Sequence, residues 1–239
     1  MNKNILITGG SQGIGKNIAD TLSVNSDYNV YATARNEEAL KKLKIKNYCV
    51  CDLKNLEQLK TLAEFIQDNK INILVNNAGE YIYSGIEKMT YEQIDEIFKI
   101  NSIAPSYLIS KVVPYMKEIK WGRIVNIGSI SGNMGEAYAS MYSATKASLA
   151  GLTKALALEL AEYNITINTI NPGWVDTSLG EKSINDSEFS KDEIIDMIPQ
   201  KRFVAPLEIS NMIKYIISDE AKGLTGQVIN LCAGLSVGI

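Results

Sequence analysis

Short apolar runs recur along the chain and alternate with longer segments of helical periodicity. Seven of these runs are rich in β-branched residues and predict strands at 5–7, 30–32, 48–50, 73–75, 124–127, 165–168 and 228–231. Most are separated by helix-length segments, of which the clearest span 12–22, 56–67, 91–116, 142–163 and 206–217. Because strands buried on both faces read as continuous apolar runs, this alternation predicts an α/β fold with a parallel sheet covered by helices on both sides.

The 239 residues suit a single α/β domain, since no repeat, low-complexity tract or Pro/Gly-rich linker divides them. One stretch, 176–200, breaks the pattern because it is polar and charged and falls between the sixth strand and the last long helix. A long insertion at such a place is typical of a lid or binding loop. We therefore expect one domain over 1–239 with a substrate lid at about 176–200.

The charge balance and the cysteines limit the partners. A formal net charge of −3 gives no general attraction to nucleic acid or to an anionic membrane. No apolar run reaches the roughly 18 residues that a membrane helix needs, and the N-terminal segment lacks the apolar core of a secretion signal. Three cysteines offer no disulfide framework and, in a chain without histidine, poor metal ligation. We expect a cytoplasmic protein without a metal site.

A glycine-rich turn follows the first predicted strand and opens the first predicted helix. Gly9, Gly13 and Gly15 permit a tight turn that leaves the helix N-terminus facing a pyrophosphate. Two other motifs overlap this turn. A hydrolase nucleophile at Ser11 would need a histidine base, which the chain lacks. A triphosphate-binding P-loop would need Ser or Thr in place of Asn17, so that alternative is distant.

The residues after the second and third strands bear on which dinucleotide binds. An acidic side chain after the second strand would accept from the 2′-hydroxyl of NAD, but the chain has Ala34 followed by Arg35. A guanidinium pairs well with a 2′-phosphate, so the sequence favours NADP(H) over NAD(H). The alternative is that Arg35 is a surface residue at a helix start. Asp52 is placed to accept from an adenine amino group, or else to cap the next helix.

Tyr142 and Lys146 are the best candidates for acid–base chemistry in a chain without histidine. Four residues apart on a helix, they share one face, and an adjacent cation would lower the pKa of the phenol. Ser129 lies thirteen residues before Tyr142, and its hydroxyl could hold a substrate oxygen beside the phenol. By itself, Tyr-x-x-x-Lys is more often ordinary helix surface or core.

Taken together, these motifs resemble the short-chain dehydrogenase/reductase family over essentially the whole chain. The ordered set comprises the turn at 8–15, Asp52, Asn76, Asn77, Ala78, Gly79, Asn101, Ser129, Tyr142, Lys146, Pro172, Gly173 and Thr177. The closing segments 198–208 and 218–230 look most like the 3-oxoacyl-carrier-protein reductase branch. The resemblance implies one doubly wound Rossmann-type domain, with a seven-stranded parallel sheet in the order 3-2-1-4-5-6-7 and with NAD(P) and substrate above the carboxyl ends of the strands.

The resemblance implies catalytic roles for four residues. Tyr142 matches the family's general acid, and Lys146 matches the lysine that lowers the phenol pKa and binds the nicotinamide ribose. Ser129 matches the hydroxyl that orients the carbonyl. Asn101 matches an asparagine that holds a water on the proton route, although it could also satisfy a helix kink.

The resemblance also implies the cofactor and substrate contacts. The cofactor positions are Gly9, Ser11, Gln12, Gly13, Ile14, Gly15, Arg35, Asp52, Leu53, Asn77, Ala78, Gly79, Tyr142, Lys146, Pro172, Gly173, Val175 and Thr177. The expected substrate contacts are Ser129, Met134, Glu136 and Tyr142. For Glu136 two interpretations stay open: selection of a substrate with a cationic or hydroxyl-rich group, or a solvated loop carboxylate.

We expect an NADP(H)-dependent oxidoreductase that interconverts a ketone and a secondary alcohol, as a 3-oxoacyl-thioester-type ketoreductase. The alternatives are a dehydrogenase of a sugar, steroid or secondary-metabolite alcohol, and a non-catalytic dinucleotide-binding regulator. The expected partners are a small-molecule substrate, free or carrier-bound, and further copies of the chain. The resemblance implies a dimer or tetramer through the helices 91–116 and 142–163 and the last strand. Four helical leucines fit either that interface or simple core burial: Leu149, Leu152, Leu156 and Leu160.

Overall fold

Seven parallel strands form one sheet in the computed structural model, which describes residues 2–237. Met1, Gly238 and Ile239, at the ends of the expected domain, lie outside the described residues. The strands are β1 (Lys3–Thr8), β2 (Tyr28–Ala34), β3 (Asn47–Val50), β4 (Ile73–Asn76), β5 (Gly122–Ile127), β6 (Ile165–Pro172) and β7 (Val228–Leu231). All seven contain the runs predicted from the sequence, so the strand prediction is confirmed.

The strand order is β3-β2-β1-β4-β5-β6-β7, as expected for a doubly wound sheet. Ile5 of β1 pairs with Val30 on one side and with Ile73 on the other, and every neighbouring pair is parallel. The order reverses between β1 and β4. In such sheets a crevice opens at the carboxyl ends of the strands beside this reversal, which is where ligands bind.

Between residues 2 and 237, ten α-helices connect the strands. They are α1 (Gly13–Ser23), α2 (Glu37–Lys41), α3 (Leu56–Asp68), α4 (Tyr91–Phe98), α5 (Ala104–Glu118), α6 (Ser131–Met134), α7 (Ser140–Leu160), α8 (Ser178–Asp186), α9 (Lys191–Met197) and α10 (Pro206–Ile216). The single helix predicted at 91–116 is instead α4 and α5 joined by a π-helical segment at Lys99–Ile103. The helix predicted at 142–163 is α7 followed by a 3-10 turn at Ala161–Tyr163. In residues 2–237, none of the helices combines the length and the apolar character that crossing a membrane requires.

The core lies on both faces of the sheet because alternate strand residues point to opposite sides. Ile5 and Ile7 of β1 pack among side chains of α1 and α10, whereas Leu6 between them packs among side chains of α3, α5 and α7. All three are fully buried. Leu149 and Leu160 are buried too, while Leu152 and Leu156 are partly buried against the cluster around Leu6. Within one chain, therefore, these four leucines belong mainly to the core.

Candidate active site

A cavity of about 980 Å³ opens above the carboxyl ends of the strands, on the side of the β1/β4 reversal. The β1–α1 turn lines one end, and residues of α7 and of the segment after β6 line the other. All the predicted site residues contribute to its wall except two, Gly15 and Asn101, which lie behind it. The structure thus gathers residues from positions 9 to 177 around one space.

The β1–α1 turn needs its glycines for steric reasons. Gly9 and Gly13 have positive φ angles of 64° and 53°, a region that side-chain-bearing residues rarely adopt. A Cβ on Gly15 would lie 2.3 Å from the carbonyl oxygen of Gly9, so the helix can approach the turn only with glycine there. Gln12, the N-cap of α1, makes no capping bond with its side chain, and the first turn carries no acidic residue. The exposed helix N-terminus therefore fits the pyrophosphate of a dinucleotide.

The segment after β4 ties the glycine turn to the sheet. The Thr8 hydroxyl accepts from the backbone N–H groups of Asn77 at 2.9 Å and Ala78 at 3.0 Å. The Asn77 amide donates back to the Thr8 carbonyl at 2.9 Å. In the neighbouring strands, the Asn76 amide donates to the side chain of Asn126 at 2.9 Å. These bonds fix the floor of the cavity at the carboxyl ends of β1 and β4.

Arg35, just after β2, and Asp52, just after β3, also line the cavity. The Arg35 side chain is 62% exposed, and its guanidinium lies 3.7 Å from Glu80. It therefore keeps donors available to an anion at the cavity mouth. The Asp52 carboxylate accepts from the Lys54 backbone N–H at 3.0 Å, and Asn55, not Asp52, is the N-cap of α3. The alternative that Asp52 caps this helix is therefore wrong.

The Tyr142 phenol and the Lys146 ammonium lie on one face of α7, with the ammonium 5.7 Å from the centre of the phenol ring. The ammonium donates to the Ile127 carbonyl at the end of β5 at 2.8 Å. Burial lowers the pKa of Lys146 to about 8. Burial also raises the pKa of Tyr142 to about 12, opposed by a hydrogen bond with Ser129 and assisted by the charge of Glu136. The net pKa of the phenol is raised because burial outweighs the opposing effect of Ser129. The lowering expected from Lys146 stays a prediction.

Ser129 lies near the phenol of Tyr142, in the short segment between the end of β5 and the start of α6. Its hydroxyl accepts from the Ser131 backbone N–H at 3.2 Å and donates to the Ser131 hydroxyl at 3.1 Å. Met134, at the end of α6, is partly exposed toward the cavity. Glu136 is half-buried, and its carboxylate accepts from the hydroxyls of Tyr81 and Ser131, each at 2.6 Å. The interpretation of Glu136 as a solvated loop carboxylate is therefore wrong.

Asn101 sits in the π-helical segment and satisfies the backbone where the helix is irregular. Its side chain accepts from the Glu80 N–H and donates to the Glu80 carbonyl, both at 2.9 Å, and it also donates to the Thr145 hydroxyl at 3.0 Å. A Cβ on Gly79 would meet the Asn101 oxygen at 3.1 Å and the Lys146 nitrogen at 3.3 Å. The side chain thus satisfies a helix irregularity, as one interpretation held, and also lies close to the Lys146 ammonium.

The polar stretch predicted as a lid forms the two short helices α8 and α9 over the cavity. Thr177 caps α8, accepting from the Gly180 N–H at 3.2 Å, and a Cβ added at Gly13 would meet the Thr177 methyl group at 3.5 Å. Sequence reasoning missed several wall residues: Tyr81, Tyr83, Ser131, Leu179, Ser183, Phe189 and Met197. A signal existed for Tyr81, which directly follows the Asn-Asn-Ala-Gly-Glu run, whereas the others depend on how the lid folds.

Comparisons with known proteins agree with this geometry. Residues 3–188 match the family model of the short chain dehydrogenases. The chain is 33% identical over 246 residues to the 3-oxoacyl-(acyl-carrier-protein) reductase FabG of Staphylococcus epidermidis, covering 98% of this chain and 99% of that protein. It is 36% identical over 235 residues to the reductase of the same name from Rickettsia bellii, covering 96% and 95%.

A solved structure gives the same picture at the level of the fold. The crystal structure of actinorhodin polyketide ketoreductase with NADPH superposes with a TM-score of 0.91 at 31% identity, covering 99% of this chain and 98% of that one. Both the sequence match and the structural match extend over nearly the whole length of the relatives. The chain therefore belongs to the short-chain dehydrogenase/reductase family, whose members are NAD(P)-dependent oxidoreductases.

Proposed function

We propose that the protein is an NADP(H)-dependent ketoreductase that interconverts a ketone and a secondary alcohol, acting on 3-oxoacyl thioesters or closely related compounds. The observation that carries the proposal is the placement of Tyr142, Lys146 and Ser129 in one cavity with the open N-terminus of α1. The names of its relatives, a 3-oxoacyl reductase and a polyketide ketoreductase, support the substrate class. An intact acid–base group argues against a non-catalytic regulator.

The cofactor half of the cavity would bind NADP(H) with groups already described. The N–H groups opening α1 would face the pyrophosphate, and the turn residues Ser11 and Ile14, which line the cavity, would flank it. Arg35 would pair with the 2′-phosphate, which favours NADP(H) over NAD(H). Asp52 and Leu53 would lie beside the adenine, and Asn77, Ala78 and Gly79 beside the adenosine. Pro172, Gly173, Val175 and Thr177 line the cavity and would surround the nicotinamide carboxamide. When bound, the cofactor supplies or accepts the hydride.

The protein supplies orientation and a proton. Because the pKa of Tyr142 is raised to about 12, its phenol is protonated at neutral pH and can donate to a carbonyl oxygen as that oxygen gains negative charge. Ser129 holds the same oxygen from the other side. Lys146 would bind the ribose hydroxyls and stabilise the phenolate left behind, and Asn101 would hold a water on the proton route to Lys146. Met134 and Glu136 flank the rest of the substrate.

The test is a screen of NADPH oxidation with acetoacetyl thioesters, cyclic ketones, steroids and keto-sugars. Activity confined to the thioesters would support the proposed substrate class. Activity confined to the sugars or steroids would replace it with a dehydrogenase of that class. No oxidation of NADPH with any carbonyl compound, together with tight NADPH binding, would favour the regulator instead.

Tyr142→Phe removes the phenol hydroxyl and keeps the ring. We expect turnover to fall by at least about a hundredfold, because general acid catalysis commonly contributes that much, while the dissociation constant of NADPH stays within about twofold. Steady-state kinetics and fluorescence titration of NADPH measure the two quantities. Substantial activity in this variant would refute the role of Tyr142.

Two further features of the proposal concern the surroundings. We propose that the chain forms a dimer or tetramer through α4, α5, α7 and β7, and that the substrate is a small molecule, free or linked to a carrier. We also propose a cytoplasmic location. The three cysteines are free thiols, and burial raises the pKa of Cys51 to about 12, so that this thiol suits a reducing compartment.

A further inference from the structure

A hydrogen-bond chain leads from Ser129, which lies beside the proposed proton donor, to Glu136. The Ser131 hydroxyl lies 2.6 Å from one Glu136 oxygen. Since an ionised carboxylate can only accept, the single proton of Ser131 is committed to Glu136. The 3.1 Å contact between the two serine hydroxyls therefore has Ser129 as donor and Ser131 as acceptor. Ser129 in turn lies close enough to the phenol of Tyr142 to lower its pKa. The direction of each hydroxyl in this series is thus set by the carboxylate at its end.

A second connection runs from the other Glu136 oxygen to the ring of Tyr142. Tyr81 is 4% exposed and donates its hydroxyl to that oxygen at 2.6 Å. Its ring packs edge-on against the Tyr142 ring, with centres 5.0 Å apart and planes 74° apart. Edge-to-face packing of this kind fixes the orientation of both rings. One carboxylate thereby orients the Ser129 hydroxyl by one route and the phenol ring of Tyr142 by another.

The charged and titratable groups around this network come from several elements. Lys146 on α7 turns its ammonium to the Ile127 carbonyl. Tyr83 follows Tyr81 along the chain and packs against Tyr138, which precedes α7, with ring centres 5.4 Å apart. Glu188, between α8 and α9, acts electrostatically on Tyr83. Both hydrogen-bond partners of the Glu136 carboxylate are neutral hydroxyls, so its negative charge is left to act on the nearby phenols.

We propose that Glu136 is a positioning residue for Tyr142, holding the phenol ring through Tyr81 and, through Ser131, setting the direction of the Ser129 hydroxyl beside the phenol. The inference rests on the proposed function only in taking Tyr142 as the proton donor. The charge of Glu136 raises the pKa of both Tyr142 and Tyr81, which supports electrostatic contact within the network. In this role Glu136 acts on the reaction through its neighbours and need not touch the substrate.

Glu136→Gln tests the proposal in the kinetics. The amide keeps the shape of the side chain but has one accepting oxygen instead of two, so one of the two restraints is lost. We expect kcat to fall about tenfold, with KM for NADPH unchanged. Tyr81→Phe, which keeps the ring, and Ser131→Ala should each lower kcat less. Combined with Glu136→Gln, each should add less than its single effect, because the residues act as one network. Full additivity would overturn the proposal.

A titration that needs no substrate provides the second readout. Protein labelled with carbon-13 at the tyrosine ring carbon that bears the hydroxyl is titrated by NMR, and the Tyr142 signal is identified by its loss in Tyr142→Phe. In Glu136→Gln we expect the midpoint of that signal to move down by about one pH unit, because a negative charge beside the phenol is removed. Glu188→Gln removes an equal charge near Tyr83, outside the network, and should leave the Tyr142 midpoint in place.

The two readouts separate this proposal from the proposed function. An unmoved Tyr142 midpoint in Glu136→Gln, or equal shifts in Glu136→Gln and Glu188→Gln, would overturn the positioning role even in an active ketoreductase. A shifted midpoint in a protein that reduces no carbonyl compound would support the positioning of Tyr142 and refute the ketoreductase assignment. If Glu136→Gln fails to fold, Tyr81→Phe carries the kinetic test, and an unchanged kcat there would overturn the restraint on the phenol ring.

Discussion

The buried ammonium of Lys146 opposes folding at neutral pH. Its side chain is 5% exposed, and burial lowers its pKa from 10.5 to about 8, so the unfolded chain binds the proton more tightly than the folded protein does. The penalty is therefore complete below pH 8 and fades as the pH rises toward 10.5. Lys146→Met should raise the free energy of unfolding at pH 7 by ~1–2 kcal/mol, after allowing for the lost hydrogen bond to Ile127.

Urea unfolding of both proteins at pH 7 and near pH 10 measures this difference. The gain should shrink at the higher pH, while the variant should reduce no substrate at either. Lys154→Met, exposed on the same helix, is the matched control and should change the free energy of unfolding by less than about 0.5 kcal/mol. A destabilised Lys146→Met protein at pH 7, or a gain independent of pH, would contradict the argument.

Arg35 determines the choice of dinucleotide if its guanidinium pairs with the 2′-phosphate. Arg35→Ala should then weaken NADPH about tenfold or more and change NADH by less than twofold, since a hydrogen bond to a charged group is worth ~1.5–3 kcal/mol. Fluorescence titration with both cofactors measures the two constants. An equal loss for NADPH and NADH would mean that Arg35 acts on the shape of the cavity and not on the phosphate.

The identities of the site residues were predictable from the sequence, but their ionisation was not. The helical spacing correctly predicted that Tyr142 and Lys146 lie on one face of a helix. The direction of the phenol pKa depends on burial, and that burial comes from residues distant in sequence, such as Tyr81. The same holds for Glu136, whose hydroxyl partners are set by the packing of α6 against the segment after β4. The local sequence pattern specifies how far apart two residues lie along a helix. The desolvation of their side chains depends on the whole assembled site.

At the level of elements, the inner strands were predictable because they are largely buried on both faces and therefore read as continuous apolar runs. The edge strands β3 and β7 are more exposed, and their short apolar runs alone indicated them. The break between α4 and α5 was not predictable, since the apolar periodicity continues across the π-helical segment. Its cause is a tertiary interaction, namely the bonding of Asn101 to the Glu80 backbone and to Thr145. Likewise α8 and α9 are short and polar, and their position over the cavity depends on packing that their own sequences do not specify.

The β1–α1 turn gives a prediction for an element as a whole. A Cβ on Gly15 would lie 2.3 Å from the Gly9 oxygen and 2.5 Å from the Asn77 amide nitrogen, so Gly15→Ala must open the turn. We expect a loss of ~1–3 kcal/mol in the free energy of unfolding, as for other overpacked sites, and at least tenfold weaker binding of NADPH. Thermal unfolding and cofactor titration measure these two effects.

Gly223 supplies the control for the turn, because no atom lies within 4 Å of the position that a Cβ would take there. Gly223→Ala should leave cofactor affinity unchanged and stability within about 0.5 kcal/mol. Normal NADPH binding by Gly15→Ala would show that the close approach of helix and turn is dispensable for the cofactor.

At the level of the whole molecule, the expected strand order followed from the family resemblance and is confirmed. The single domain was expected from the length of the chain and the lack of a dividing linker. The topology explains why residues far apart in sequence meet. The carboxyl ends of β1, β4, β5 and β6 all open on one side of a parallel sheet, so that Gly9, Asn77, Ser129 and Pro172 line one cavity. For the proposed association of several chains, the structure of one chain shows which side chains are exposed on the surface that would form the interface.

That surface identifies the residue with which to test the proposed oligomer. Leu158 on α7 is 87% exposed, unlike the four neighbouring leucines that pack into the core. An interface through α7 would bury it, and two-fold symmetry would place it in the contact twice. Leu158→Lys then loses the burial of two leucines, worth ~1.5–3 kcal/mol each, and leaves charges in an apolar contact, so the molar mass should fall toward that of one chain. Light scattering after size-exclusion chromatography measures the mass.

Val24→Lys is the control. It replaces an aliphatic residue 83% exposed beyond the end of α1 and should keep the mass of the parent protein. Equal masses for parent and Leu158→Lys would exclude an interface centred on α7, because no dimer tolerates two uncompensated lysines at its centre without a measurable loss of affinity.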